Sequence, residues 1–425
     1  MMKWITDFLL VRGVNHFVPH AFSPDYPDGD CPPHFGAEGH DPQFDGFTHL
    51  MHYTNKVSHL LYGGEHITSC AILYHAEGEW MNRRGEAMLM QVPAKALLDE
   101  HLCYDFVCLD MLENASVADG KMMINGETYG ALVVPYAPIV PPALTAAAER
   151  LSGEGLPILL CEDRPAGMCG EVVKVAELAD RIRGLGLADI TVEGDHPLLR
   201  HYHIRRGDSH IFMFFNEDTV REALTEVTLP VRGSFARLRL AEDSAYRDTA
   251  PDGRATLALL PSQSEIWVFG EEDTVAALPE QSVLSETFVL HPTYTVELAE
   301  SEDLSAYRFY STTDTLVNIT APDECPHFSG KMRYTFTVDL DTVPAGAVLD
   351  LGRVGQTARV WVNGIDAGIR IANPYTYPVA DLLTEGKNQV VVEVSNTLVG
   401  KVRDGFSAHI AIMPSGLLGP VTMKI

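Results

Sequence analysis

The sequence predicts a multidomain protein that joins α/β architecture to all-β architecture, and three observations predict it. Between residues 66 and 195, short continuous apolar runs alternate with helical stretches, the pattern of a doubly wound parallel sheet. Beyond that segment helical periodicity disappears, and strand-length apolar runs separated by turn residues continue to the end. A length of 425 residues corresponds to about three domains at roughly 150 residues each.

Met1 to Arg12 reads as an amphipathic helix, with Trp4, Ile5, Phe8 and Leu9 on one side and Lys3 and Asp7 elsewhere. Gly13 closes it, as a glycine beyond a helix end does. Residues 14–22 form an apolar run of strand length. Residues 23–43, rich in Pro, Gly and Asp, are too long for a plain connector and mark a candidate binding loop. Apolar positions at helical spacing over 47–61 predict a second helix, stopped by Gly63 and Gly64.

The α/β segment places strands at 67–74, 104–109, 129–135 and 156–161, and helices at 94–101, 142–151 and 172–185. In 196–285 a hairpin through Arg206, Gly207 and Asp208 joins strands 201–204 and 210–215. Further strands at 226–231, 235–240, 255–260 and 265–269 complete a small antiparallel β-sandwich, followed by an acidic connector. In 286–425, strands at 332–338, 347–351, 358–362, 389–394 and 408–413 predict a second sandwich. Asn363 and Gly364 both tolerate positive φ and predict a type I′ hairpin turn.

Composition limits the partners. There are 31 basic and 58 acidic residues, a net charge of −27. This balance argues against nucleic acid or an anionic membrane as partner, since phosphate binding needs clustered Lys and Arg. No run approaches the roughly 18–20 apolar residues that span a bilayer. The N-terminus lacks a signal-peptide pattern. Seven cysteines, at 31, 70, 103, 108, 161, 169 and 325, are an odd number and read as structural thiols of a cytoplasmic protein.

The last segment carries an ordered set of residues. It runs Leu349-Asp350-Leu351-Gly352, then Ala358-Arg359-Val360-Trp361-Val362-Asn363-Gly364, Gly368 and Pro374-Tyr375-Thr376-Tyr377-Pro378. Asp381-Leu382-Leu383, Glu385-Gly386-Lys387-Asn388-Gln389-Val390 and Ser415-Gly416-Leu417-Leu418-Gly419-Pro420-Val421 complete it. This set resembles the sugar-binding, galactose-binding-like β-sandwich of family 2 glycoside hydrolases. At the front, residues 7–22, from Asp7-Phe8-Leu9-Leu10 to Pro19-His20-Ala21-Phe22, are similar to a late helix and strand of the catalytic barrel in family 106 glycoside hydrolases, the α-L-rhamnosidase type. Asn125-Gly126-Glu127-Thr128-Tyr129-Gly130 and the run that follows to Pro135 resemble the α/β domain after that barrel.

The resemblance implies four parts. Residues 1–65 would be the remnant of a barrel end and 66–195 a flavodoxin- or amidotransferase-like α/β domain. Residues 196–285 would be a small β-sandwich and 286–425 a galactose-binding-like jelly-roll sandwich. A (β/α)₈ barrel needs on the order of 250 residues, and only 65 precede the α/β domain. The family's acid/base glutamates would then lie on strands before Met1. The implied function is the C-terminal part of a glycoside hydrolase, bacterial, acting on O-glycosidic bonds and silent alone. The alternatives are a hydrolase assembled with a second chain or as a homo-oligomer, and a non-catalytic carbohydrate-binding scaffold.

Candidate residues follow from both readings. Glycoside hydrolysis uses two carboxyl groups flanking the bond. Glu77 and Glu79, with Trp80, follow a strand at the end where open α/β sheets place ligands; they are either substrate-facing or a plain polar loop. His16 and His20 flank the predicted strand and either hydrogen-bond sugar hydroxyls or are structural. Asn373, Tyr375 and Tyr377 lie in a predicted loop and are candidates for saccharide contact, whereas Trp361 reads as core. Asp25, Asp28 and Asp30, with His34 and His40, suit Ca²⁺ by chemistry but lack EF-hand spacing, so no metal is assigned. His49 and His52 lack a zinc pattern and read as surface. Cys161 ends a strand without the flanking glycines of a nucleophile elbow and reads as a buried thiol. No nucleotide-binding loop is present, so no cofactor is expected.

Overall fold

The computed structural model describes residues 1–20, 23, 39–270, 272–279, 286–402, 409 and 411–425. Asp25, Asp28, Asp30, Cys31 and His34 lie outside them. The predicted mixture of a parallel α/β sheet with antiparallel sheets is present.

The α/β body has five parallel strands: Tyr104–Val107, Cys70–Leu73, Leu132–Val134, Ile158–Cys161 and Glu171–Val173, in that spatial order. Numbered along the chain the order is 2-1-3-4-5, so the connections switch direction between the first and third strands. The three central strands are continuous apolar runs because both their faces are covered. Strand alternation aims Ala71, Leu73 and Leu160 at helix Pro142–Gly153. It aims Cys70, Ile72 and Leu159 at helices Gln91–Asp99 and Leu178–Gly184.

Two expectations are corrected here. The helix expected over 172–185 is instead the short strand Glu171–Val173, a 3₁₀ turn and helix Leu178–Gly184. The strand expected over 129–135 divides at Gly130: Glu127–Tyr129 belongs to a three-stranded antiparallel meander with Ser116–Ala118 and Lys121–Ile124. A Cβ on Gly130 would lie 2.2 Å from the Leu187 side chain, which would have to shift to admit any larger residue at the break point.

The small sandwich has a six-stranded antiparallel sheet ordered Glu65–His66, Leu199–Arg206, Ser209–Asn216, Ser264–Phe269, Gly233–Arg239, Ser244–Ala250. A three-stranded sheet of Thr191–Val192, Ala223–Thr228 and Arg254–Leu259 covers one face. Phe212, Phe214, Phe235, Trp267 and Phe269 fill the space between with Val227 and Leu257. The other face carries Ile211, Met213, Phe215 and Ile266 under helices Met2–Leu10 and Phe44–Leu61, through Leu10, Leu50, Tyr53, Val57 and Leu61. The unbroken run Ile211-Phe212-Met213-Phe214-Phe215 follows, because its strand has no wet face. Residues 14–20, read as a strand, form none.

The first helix is turned about its axis relative to expectation. Lys3 and Asp7 are buried, at 4% and 0% exposure, whereas Ile5 is 46% exposed. A closed polar ring explains this. Lys3 Nζ donates to Asp7 Oδ2 at 2.6 Å and Ser264 Oγ at 3.2 Å, and Tyr53 OH donates to Asp7 Oδ1 at 2.6 Å. The Ser264 hydroxyl, 2.9 Å from Tyr53 OH, closes it. Burial, then the Asp7 carboxylate, raises the Tyr53 pKa well above its ordinary value.

The C-terminal sandwich packs a six-stranded sheet against a four-stranded one. The first is ordered Arg308–Thr313, Tyr294–Glu300, Gly330–Leu340, Gly386–Ser395, Thr357–Val362, Ile365–Arg370. The second is Thr287–Val289, Thr422–Lys424, Val348–Asp350, Thr376–Pro378. Asn363 and Gly364 have φ of 52° and 80°, as the type I′ turn requires. In place of a strand at 408–413, the described residues 411–415 are irregular and the closing strand is Gly416–Gly419.

Candidate functional site

Glu77, Glu79 and Trp80 sit on helix Ala76–Met81 rather than in a loop. This helix follows strand Cys70–Leu73 at the C-terminal edge of the parallel sheet, beside strand Leu132–Val134, where the connections switch direction. Open α/β sheets bind ligands in that crevice.

Polar contacts fix the helix. His75 Nδ1 donates to the Pro135 carbonyl at 3.1 Å, so Nε2 carries the lone pair; it is buried and has no partner. Burial lowers the His75 pKa despite the Pro135 carbonyl and the carboxylates of Glu77 and Glu79. Gly78 lies over the His75 ring, where an added Cβ would be 2.7 Å from Cδ2 and Nε2. Asn82 Nδ2 donates to the carbonyls of Gly78 and Ile139 at 2.7 and 2.8 Å, and its Oδ1 accepts the Ile139 N–H at 3.0 Å.

Trp80 is 80% exposed on this fixed support. Residues 77 and 80 are i, i+3 neighbours on one helix face, whereas 77 and 79 point roughly 200° apart. Glu77 and Glu79 therefore do not flank a common point as a hydrolytic carboxyl pair does. The arrangement is an aromatic platform beside one half-buried carboxylate, suited to stacking a sugar ring and accepting its hydroxyl protons. Replacing Gly78 by alanine is expected to cost about 1–3 kcal/mol, because the added Cβ would overlap the buried His75 ring and force it to shift. A urea titration checks it, and an unchanged midpoint would remove the His75 contact as the helix's support.

The other candidates lie elsewhere. His16 and His20 are exposed on irregular residues 14–20, and among the described residues no hydrogen bond or ion pair joins them to Glu77, Glu79 or Trp80. Tyr375 and Tyr377 correct the expectation of saccharide contact. They are 7% and 0% exposed, and their hydroxyls donate to the backbone carbonyls of Gln356 and Ala358. Alternation in strand Thr376–Pro378 turns Tyr377 into the sandwich core, leaving neither ring free for a sugar. Trp361 is half-buried on the outer sheet face with the Arg359 guanidinium 5.2 Å from its ring centroid, so it is not core. Asn373 is exposed and lines a shallow surface notch with Lys3, Glu242, Arg370 and Pro374. Glu242 Oε1 accepts from Gln263, and its Oε2 is buried without a hydrogen-bond partner.

Of the loop residues suited to a cation, only His40 is described; its Nδ1 lies 3.3 Å from the Ser301 carbonyl. His49 is half-buried rather than on the surface, with Nε2 unpartnered. Cys161 is buried, and burial followed by the Glu162 carboxylate pushes its thiol up to about 12, opposing thiolate formation. Lys3, Asp7, His75, Glu242 and Arg370 had no marking in the sequence, since single charged residues in amphipathic runs ordinarily face water.

Comparison with solved structures finds likeness of shape. A rhamnosidase from Novosphingobium sp. PP1Y superimposes over 100% of this chain and 46% of its own, with a TM-score of 0.70 and 17% identity. The likeness is one of fold. This chain thus spans less than half the length of that protein. An exo-carrageenase from Bacteroides ovatus matches 51% of this chain and 32% of its own, with a TM-score of 0.34 and 10% identity. A β-D-glucuronidase from Dictyoglomus thermophilum matches 34% and 29%, with a TM-score of 0.25 and 17% identity. No family model and no curated protein matches the sequence.

Proposed function

We propose that this chain is the carbohydrate-engaging C-terminal part of a glycoside hydrolase of the family 106, α-L-rhamnosidase type, ending in a galactose-binding-like sandwich. Trp80 carries the reading. It is a large aromatic face held out on a fixed helix, beside Glu77, at the ligand-binding edge of a parallel sheet. The fold likeness to a rhamnosidase over the whole chain supports the same substrate class. Among the described residues no (β/α)₈ barrel is formed, and Glu77 and Glu79 diverge, so the chain alone is expected not to turn over glycosides.

Two measurements test this. Aryl α-L-rhamnosides incubated with the chain are expected to show no hydrolysis above background; turnover lost in Glu77→Gln or Glu79→Gln would refute the silent reading. Trp80→Ala is expected to weaken binding of rhamnose-containing oligosaccharides about tenfold, the loss of roughly 1.4 kcal/mol of stacking. Unchanged calorimetric affinity would remove Trp80 from the site.

The second reading is assembly with another chain that supplies the hydrolytic carboxyl groups. Residues 14–20 favour it: Val14 and Val18 are 40% and 84% exposed, and among the described residues the backbone N–H groups of residues 15–18 and 20 donate to no acceptor. An apolar segment with unpaired backbone is a ready β-pairing edge. Val18→Lys is expected to abolish such a complex in size-exclusion chromatography while leaving the monomer folded.

A further inference from the structure

The α/β body and the small sandwich meet without a shared apolar cluster. The body's clusters draw on residues between 70 and 187, and the sandwich's on residues up to 61 and from 190 onward. Polar contacts hold the junction instead, and histidines dominate them. His66, on the strand that pairs with Leu199–Arg206, lies with Nδ1 3.0 Å from Asp105 Oδ1, and its backbone N–H donates to Glu127 Oε2 at 3.0 Å. His201 Nε2 is 3.2 Å from Cys103 Sγ. His101 Nδ1 donates to the Leu199 carbonyl at 3.2 Å. Arg200 reaches back to the Leu98 carbonyl at 3.1 Å and Asp99 at 3.4 Å. Behind them, Asp189 pairs with His203 at 2.9 Å, and His203 Nε2 lies 2.9 Å from His210 Nδ1.

We propose that this junction is an acid-released hinge, at which the α/β body separates from the sandwich under mildly acidic conditions while each unit stays folded. An interface between units without a common core is where relative motion is expected, and histidine is the side chain whose charge changes in that range.

The charges around His201 and His101, two of the three histidines that cross the boundary, set the sign. His201 is 4% exposed. Burial lowers its pKa to about 3. His101, His203 and His66 add to the lowering, and only Asp189 opposes them. The facing Cys103 thiol is raised well above its ordinary value, chiefly by burial, and brings no charge. His101 is lowered to about 4 by burial and then by Arg200, with His196 in the same sense and the Leu199 carbonyl and Glu100 against. Both rings are therefore neutral when the junction is closed. Opened to water, each regains a pKa of about 6.5. A group with a depressed histidine pKa favours the closed form fully above the open-form value, and that preference is lost as pH falls below it. Between about pH 6.5 and 4, each histidine raises the opening equilibrium about tenfold per pH unit, and the pair about a hundredfold.

Hydrogen–deuterium exchange of the full chain from pH 7 to 4.5, corrected for intrinsic rates, tests this. The amide of His66, which donates to Glu127 across the junction, is expected to lose protection with a slope near two protons, whereas that of Ile67, which donates to His203 within the sandwich sheet, is expected to keep it. Strands Ser209–Asn216 and Gly330–Leu340 are expected to stay protected. Small-angle scattering is expected to report a larger radius of gyration over the same range. His101→Asn with His201→Gln is expected to reduce the slope below one proton; His101→Asn alone, tolerated at φ 58°, is expected to remove one. Loss of protection in all strands at the same pH, or a wild-type slope near zero, would overturn the hinge. So would an unchanged slope in a folded variant.

Discussion

Asp7→Ala is expected to lower unfolding free energy by about 3–5 kcal/mol, the cost of leaving a buried partner charge unpaired. Asp7 is fully buried and accepts from both the Lys3 ammonium and the Tyr53 hydroxyl. Without it, Lys3 keeps only Ser264 Oγ at 3.2 Å and the Ser262 carbonyl at 3.5 Å. Lys3 is 4% exposed, so its ammonium is held largely away from water. Asp7→Asn retains an acceptor for Tyr53 but removes the charge, and is expected to fall between wild type and Asp7→Ala. Urea melts measure both, and an Asp7→Ala loss under about 1 kcal/mol would mean that the ring does not hold the helix.

Glu265→Ala is expected to cost a similar amount on the opposite face of the same sheet, one residue beyond Ser264, again about 3–5 kcal/mol. The Glu265 carboxylate is 1% exposed. Its Oε1 accepts from Trp267 Nε1 at 2.5 Å and pairs with Arg237 at 3.0 Å, and its Oε2 accepts from Arg239 Nε at 2.7 Å. Arg237 is itself 4% exposed and lies 4.9 Å from the Trp267 ring centroid. Removing the carboxylate leaves one buried guanidinium dependent on Asp248 and the Thr256 carbonyl. Glu265→Gln keeps the volume and one acceptor and is expected to lose less. Equal losses for the two variants would assign the effect to packing rather than charge.

Both residues show where sequence pattern and structure part. The pattern rule sends apolar residues inward and charges outward, and it located the parallel strands, because Ala71, Leu132 and Leu159 lie in runs with no polar interruption. It also placed the turn at Asn363 and Gly364, since backbone conformation there depends on two residue types alone. The rule was right for Trp4 and Phe8 of helix Met2–Leu10, which pack on the core, and wrong for Lys3, Ile5 and Asp7, because a complete set of partners for Lys3 and Asp7 comes from Tyr53 and Ser264, far along the chain. The strand Glu171–Val173 was hidden by its edge position: one buried residue in three gives no period to read. Tyr375 and Tyr377 misled for a related reason. They were expected in a loop, yet both hydroxyls find backbone carbonyls and the rings are buried. Trp80 was legible as a candidate because nothing near it in sequence competes for its ring. The histidine junction was not, because its members come from separate segments.

The pairing of Glu65–His66 with strand Leu199–Arg206 makes the α/β body an insertion between neighbouring strands of one sheet. Joining those strands in an unfolded chain closes a loop of about 140 residues, with an entropic penalty that grows as the logarithm of its length. A body that has already folded holds the two crossings close together and removes most of that penalty. The order of assembly follows: the five-stranded parallel sheet forms first, and the sheet that appears earlier in the chain is completed afterwards. A ribosome emitting this chain would therefore hold residues 1–66 waiting, with the helices' apolar stripes uncovered, until the strands beyond residue 199 emerged.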